Sequence, residues 1–232
     1  MIVFDGISLE SVAPVMIEDI RISPVEVNVI ERPRAIFPGS EFIRTRYGQR
    51  TVAITFGILE DDRAKRESAL LRISQWAKTD KEYRLDLPNH PGMYLTAICT
   101  GKPEPSYRQW WESKLRLVFT CINDPFWKSI EEKSVACGTA FYALGDAPPL
   151  IRIEHTFASA ASNKTYSDGT NSIKFSSVPA GAMVIDLNNQ TAVVGNASIM
   201  SNYKIDSTWI IPKVGQTTIS GTGTVKFRER WL

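Results

Sequence analysis

Apolar and polar residues alternate with a period of two through most of the first half of the chain, the pattern of half-buried strands. Val25, Val27 and Val29 recur in this way before Pro33. The run Val52, Ile54, Phe56 and Ile58, interleaved with Ala53, Thr55 and Gly57, gives a strand with one fully apolar face. Between these two runs, the turn signals Pro38-Gly39-Ser40 and Tyr47-Gly48-Gln49 bracket the short core Glu41-Phe42-Ile43-Arg44-Thr45. That arrangement predicts a projecting hairpin or arm over about 34–50. After Leu59-Glu60-Asp61-Asp62 the period changes. Ala69, Leu70, Ile73, Trp76 and Ala77 fall at helical spacing, with Asp62 placed to cap the first turn, so an amphipathic helix is predicted over 63–78. Tyr83 to Leu87, Met93 to Thr100 and Lys114 to Ile122 read as further strands, separated by loops rich in proline and glycine. The first half is therefore expected to be a sheet with one helix packed across it, closed by Asp124-Pro125-Phe126-Trp127-Lys128.

Gly145-Asp146-Ala147-Pro148-Pro149 carries the strongest linker signal in the chain, which places the expected domains at 1–140 and 146–232. Beyond it, apolar runs at Leu150 to Ile153, Ile173 to Phe175, Met183 to Leu187, Ala192 to Val194, Trp209 to Ile211 and Val225 to Phe227 stand between clusters of Gly, Asn, Ser and Thr. Many short strands with no helical period predict a β-sandwich. The fold class is thus mainly β with an α+β first domain.

Composition leaves this picture intact. The 232 residues are 43% hydrophobic and 22% charged, enough apolar content for a sizeable core. A net charge of +2 gives no electrostatic case for nucleic acid or an acidic membrane. The basic stretches Arg44 to Arg50 and Arg63 to Arg72 are interrupted and read as solvated faces. Cys99, Cys121 and Cys137 are odd in number and lie far apart in apolar surroundings, as reduced thiols do. The start of the sequence lacks a charged and apolar leader pattern, and no apolar run approaches the roughly 18 residues of a membrane span, so synthesis in a cytosol is expected.

Catalytic chemistry finds little support. His90 lies in a Pro-Gly loop and His155 at a strand end, and neither accompanies a nucleophile motif. There is no Cys-x-x-Cys, His-Glu-x-x-His or EF-hand spacing, so no catalytic residue, metal site or cofactor is expected. Gly221-Thr222-Gly223-Thr224 leads into a strand and reads as a hairpin turn rather than a phosphate cradle. Tyr107, Trp110 and Trp111 form an aromatic cluster that either covers the sheet or is exposed for contacts with sugars or proteins. In a carbohydrate-binding reading, the second domain should present aromatics such as Trp209, Tyr203, Tyr166 or Phe157 with nearby amides on one face. A glycosidase reading would need paired carboxylates such as Asp186 and Asp206.

The order of elements resembles the distal tail proteins of siphophages, the Dit family. The resemblance runs through the Pro38-Gly39 arm, the strand Thr51 to Phe56, the helix ending Ser74-Gln75-Trp76, Tyr83 to Pro88, and Leu117 to Cys121 leading into Asp124-Pro125-Phe126-Trp127. It continues through Ala147 to Ile153, Met183 to Leu187 and Thr208 to Gly215, and so covers most of the chain. The resemblance implies a ring-forming first domain and a galectin-like second one in a non-enzymatic protein of the virion tail tip or baseplate. It also implies a homohexameric ring held between the tail tube protein and a tail-associated hub protein, with a receptor-binding protein as a further candidate neighbour. In such a ring the arm residues Pro38, Gly39, Glu41, Phe42, Ile43, Arg44, Arg46 and Tyr47 are the candidate contacts between subunits. The alternative is a carbohydrate-binding adhesion module at the tail tip.

Overall fold

The computed structural model describes residues 1–33, 40–101, 104–107 and 113–232, with the backbone alone for Pro33, Ser40–Phe42, Glu104–Tyr107 and Ser113. The chain forms two compact units, Met1–Trp127 with Leu232, and Lys128–Trp231.

The first unit is built from β1 (Val3–Phe4), β2 (Ile7–Ser8), α1 (Leu9–Val12), β3 (Val15–Ile22), β4 (Val27–Pro33), β5 (Ser40–Tyr47), β6 (Arg50–Ile58), α2 (Arg63–Trp76), β7 (Tyr83–Asp86), β8 (Met93–Cys99), β9 (Glu104–Tyr107) and β10 (Ser113–Cys121). Its sheet runs β2-β1-β7-β8-β10-β6-β3, every neighbouring pair antiparallel. β9 pairs with the first half of β10, from Ser113 to Arg116, while β8 meets its second half at Phe119 and Thr120. The alternation of β6 works as expected, with Val52, Ile54, Phe56 and Ile58 buried and facing the same way. Across the ladder Leu115, Leu117, Phe119 and Cys121 supply the matching face of β10. Each such side chain, fully removed from water, contributes about 1.5–3 kcal/mol.

Helix α2 starts where Asp62 predicts, with the Ala64 N–H donating to Asp62 Oδ1 at 2.7 Å. It buries Ala69, Ile73 and Trp76. Trp76 packs edge-on against Phe4 and Phe119 and donates its indole N–H to the Ile7 carbonyl, which fixes the helix across the sheet. The helix ends at Trp76, short of the expected Lys78, because Ala77 leaves helical geometry while its N–H closes back on Ile73. Among the described residues no helix is long and apolar enough to cross a membrane.

β11 (Trp127–Ser129) lies at the division between the units. The second unit continues with β12 (Lys133–Ala136), β13 (Ala140–Ala143), β14 (Ala147–Phe157), β15 (Ala161–Ser167), β16 (Ser172–Val178), β17 (Gly181–Asp186), β18 (Thr191–Val194), β19 (Ala197–Ser198), β20 (Gly215–Thr218) and β21 (Thr224–Trp231). One sheet runs β19-β18-β17-β14-β21, with β12 also on β21. The pairs β13–β20 and β15–β16 form two separate ribbons. Residues from the sheet (Ile151, Ile153, Met183, Ile185, Val225, Phe227) and from the ribbons (Phe141, Ala143, Tyr166, Ile173, Phe175) share one core, so the strands enclose it in two layers.

Three expectations are corrected here. The units divide after Trp127, not between 140 and 146, because β12 and β13 pair with β21 and β20 and so belong to the second core. The supposed linker is strand. Gly145 bridges Arg230, and Pro148 and Pro149 fall at the irregularity between Ala147 and Leu150 where β14 skips ladder positions, the place a strand tolerates proline. Trp209 to Ile211 is not a strand, since the segment from Asn202 to Thr208 is instead tied to β16. Lys204 N–H donates to Lys174 O (2.9 Å), Thr208 N–H to Ser172 O (2.7 Å) and Lys174 N–H to Ser207 Oγ (3.0 Å), so side-chain and main-chain groups together occupy the edge.

Candidate functional site

Strands β3 and β6 pair from Val15↔Ile58 to Ile22↔Val52, and the same two stretches of chain continue beyond the sheet as β4 and β5. The junction is held by Ser23 N–H to Thr51 O (2.9 Å), Thr51 N–H to Ser23 Oγ (2.8 Å) and Gly48 N–H to Glu26 O (2.6 Å). Among the described residues β4 and β5 then pair only with each other, from Val27↔Tyr47 to Pro33↔Ser40, with a bulge between Ile30 and Glu31. The arm expected over 34–50 is thus a ribbon that begins earlier, at Val27.

Register and pleat sort the ribbon into two faces. Val27, Val29, Thr45 and Tyr47 lie on one, and Asn28, Ile30, Arg44 and Arg46 on the other. Among the described residues this apolar face is largely uncovered, with Val27 53%, Val29 58% and Tyr47 40% exposed, and Ile43 at the bulge 54%. The alternation read from Val25, Val27 and Val29 is present, but only Val25 is buried. A two-stranded ribbon without a packed face is marginal in water, so this surface is one that a partner would stabilise. Of the interface candidates, Ile43, Arg44, Arg46 and Tyr47 are exposed on the ribbon, and Glu41 and Phe42 have backbone places in β5. Pro38 and Gly39 lie outside the described residues, as do Trp110 and Trp111; Tyr107 has a backbone place in β9.

The foot of the ribbon carries an aromatic cluster. Tyr47 packs edge-on against Phe126 (5.1 Å), His90 stacks on Trp127 (4.1 Å), and the Arg50 guanidinium sits 5.6 Å from the Trp127 ring centre. Arg50, expected to belong to a solvated basic face, is instead buried, because it extends the inward positions of β6 by one step. Glu82 secures the end of the unit by accepting hydrogen bonds from Ile122 N–H (2.6 Å) and Asn123 N–H (2.9 Å).

The residues nominated for other chemistry go to structural places. His155 packs against Phe157. Asp186 accepts hydrogen bonds from Asn188 and Asn189 N–H within its own turn, and Asp206 pairs with Lys174 at 2.6 Å. That ion pair holds the Asp206 carboxyl below its ordinary pKa. Among the described residues no three His, Cys, Asp or Glu side chains group as a metal site. Tyr166 and Phe157 are buried, while Tyr203 and Trp209, six positions apart and without a shared period, stack at 5.5 Å beside Phe175. Both rings pack partly on the core.

No protein-family model and no curated protein matches the sequence. Solved structures do match the fold. The crystal structure of the phage SPP1 Dit protein (gp 19.1), described as a paradigm of the hub adsorption apparatus of phages infecting Gram-positive bacteria, is similar with a TM-score of 0.81 and 18% identity, over 100% of this chain and 98% of that one. A chain of the phage P2 baseplate in its activated conformation with Ca is similar with a TM-score of 0.51 and 9% identity, over 94% and 91%. The mainly β, α+β architecture is therefore that of SPP1 Dit from end to end.

Proposed function

We propose that the chain is a distal tail protein of a long-tailed phage, a structural part of the tail tip or baseplate whose copies close head to tail into a hexameric ring. The observation that carries this reading is the likeness to SPP1 Dit across both units and nearly the whole length of each chain. The uncovered apolar face of the β4–β5 ribbon supports the assembly step, because a ring requires a projecting element on one copy and a complementary surface on the next. Strand addition or face-to-face docking would cover Val27, Val29, Ile43 and Tyr47. The ring's neighbours are a tail tube protein above and a hub protein below, with a receptor-binding protein as a further contact. The protein would be made in the host cytoplasm and act in the virion without catalysis.

Native mass spectrometry and light scattering of the purified chain test this. The expected result is a species of six copies, and deletion of Ser40 to Tyr47 is expected to leave a folded monomer. A chain that stays monomeric at high concentration, alone and with tube and hub proteins, overturns the reading; a deletion variant that still forms hexamers removes the ribbon from the contact.

A second reading, saccharide binding by the second unit, is favoured by the Tyr203–Trp209 stack, near which Lys204 Nζ donates to Asn163 Oδ1 at 2.9 Å. Trp209 fluorescence titrated with a panel of oligosaccharides tests it: saturable quenching supports the site, and a flat response across the panel removes it.

A further inference from the structure

The alternation that buries Val52, Ile54, Phe56 and Ile58 places one more residue on the same inward face, Arg50, which is 3% exposed. Its Nε and Nη1 are buried without a hydrogen-bond acceptor, and its guanidinium rests near Trp127 at 5.6 Å. Arginine does not shed its proton to escape such a site. A desolvated guanidinium with unmet donors weakens the single copy, and an apolar side chain of similar length would suit the position better. Local rules broken in this way are expected at functional or strained positions.

A carboxylate of matching kind stands on the ribbon. Glu31 is exposed, has no ion-pair or hydrogen-bond partner among the described residues, and follows Val27 and Val29 on the uncovered face of β4. It pairs across the ribbon with Phe42, eight residues before Arg50 on the same segment. At about 3.3 Å per residue along a largely extended segment, that sets Glu31 up to roughly 25 Å from Arg50 of its own copy, out of pairing range. The two charges can meet only between copies.

We propose that Glu31 on the ribbon of one copy pairs with Arg50 at the ribbon foot of the next copy, and that this pair fixes the register of the ring contact. The proposal rests on the head-to-tail assembly argued above. The occupant of the Arg50 site is the ribbon of a second copy, which brings the apolar surface of Val27 and Val29 and the charge together. Each copy gives one carboxylate and receives one, as a heterologous contact requires. Because the guanidinium is covered in the free copy, the pairing requires its cover at the ribbon foot to shift as the second copy docks. There Gly48 is tied to Glu26 by a backbone hydrogen bond and fits closely against the Glu26 side chain.

The test is a double-mutant cycle on the full-length chain, with self-association measured by sedimentation equilibrium for wild type, R50M, E31Q and R50M/E31Q. The expected result is at least a tenfold weaker association for each single variant and no further loss in the double. Monomeric R50M is expected to melt at or above the wild-type temperature. Wild-type protein that never associates defeats the assembly reading itself. Wild-type protein that associates while E31Q associates equally well, or while the two losses multiply, defeats only the Glu31–Arg50 pair. E31Q alters an exposed side chain, so its result stands even where R50M does not fold.

Discussion

Replacing Val27 and Val29 together by threonine separates what the ribbon does for one copy from what it does between copies. Threonine keeps the branched Cβ and the strand preference of valine but exchanges a methyl for a hydroxyl. Fully burying a valine is worth about 1.5–3 kcal/mol. These two are 53% and 58% exposed in the isolated chain, so covering what remains contributes about 1 kcal/mol each. V27T/V29T therefore removes about 2 kcal/mol from each contact, roughly thirtyfold in the association constant at about 1.4 kcal/mol per tenfold. The folded monomer loses only about 0.5 kcal/mol or less, since no packed apolar surface is given up. Sedimentation equilibrium over a wide concentration range measures the first quantity, and urea unfolding under monomeric conditions the second. Association as tight as wild type, accompanied by a large loss of monomer stability, would refute the argument, because it would mean that the face is covered within the chain.

Three further outcomes follow from the packing. Phe4→Ala empties the centre of the first unit, where Phe4 meets Trp76, Tyr83 and Phe119, and should cost about 3–5 kcal/mol in urea unfolding. Gly145→Ala should be far more damaging in a thermal melt than Gly92→Ala: both glycines have positive φ, but a Cβ on Gly145 would lie 2.1 Å from the Arg230 carbonyl oxygen, whereas one on Gly92 meets open space and costs only about 1 kcal/mol. The lowered pKa of Asp206, caused first by its hydrogen bond from Lys174, gives stability that is present above the unfolded-state value of about 4 and lost as pH falls through the lower folded value. Asp206→Asn should therefore lower stability slightly at neutral pH and converge with wild type as pH falls below about 4, where the carboxyl is protonated and the pair is lost, as read by thermal melts against pH.

Elements whose pattern is closed by burial inside one chain were readable from the sequence. β6, β8 and β10 show a period of two because each has one face in the core, and α2 shows its start because Asp62 caps it. The boundary at Trp127 was half legible: Asp124-Pro125-Phe126-Trp127 does end the first unit, yet the four-residue strands β12 and β13 are too short to show a period. Pro148 and Pro149 read as a break because proline cannot donate to a ladder, and the bulge that excuses them is a tertiary feature. The segment around Tyr203 and Trp209 has no period to read, since side chains and turns rather than a strand ladder hold it along β16.

The ribbon fails to follow its own pattern for a different reason. Alternation says which residues share a face but not what covers that face, so Val25, Val27 and Val29 look alike in sequence although only Val25 is buried. Arg50 shows the converse, a charge on the inward face of an otherwise apolar strand. Both departures lie within one hairpin, at and beyond the foot of the ribbon, and each leaves unmet a need that the other's chemistry could meet from a neighbouring copy. Independent packing faults would have no reason to gather at one place or to be complementary in sign. An exposed apolar face with a free carboxylate, beside a buried cation lacking an acceptor, is what a single copy of a self-assembling chain should look like when its partner surface is a second copy of itself.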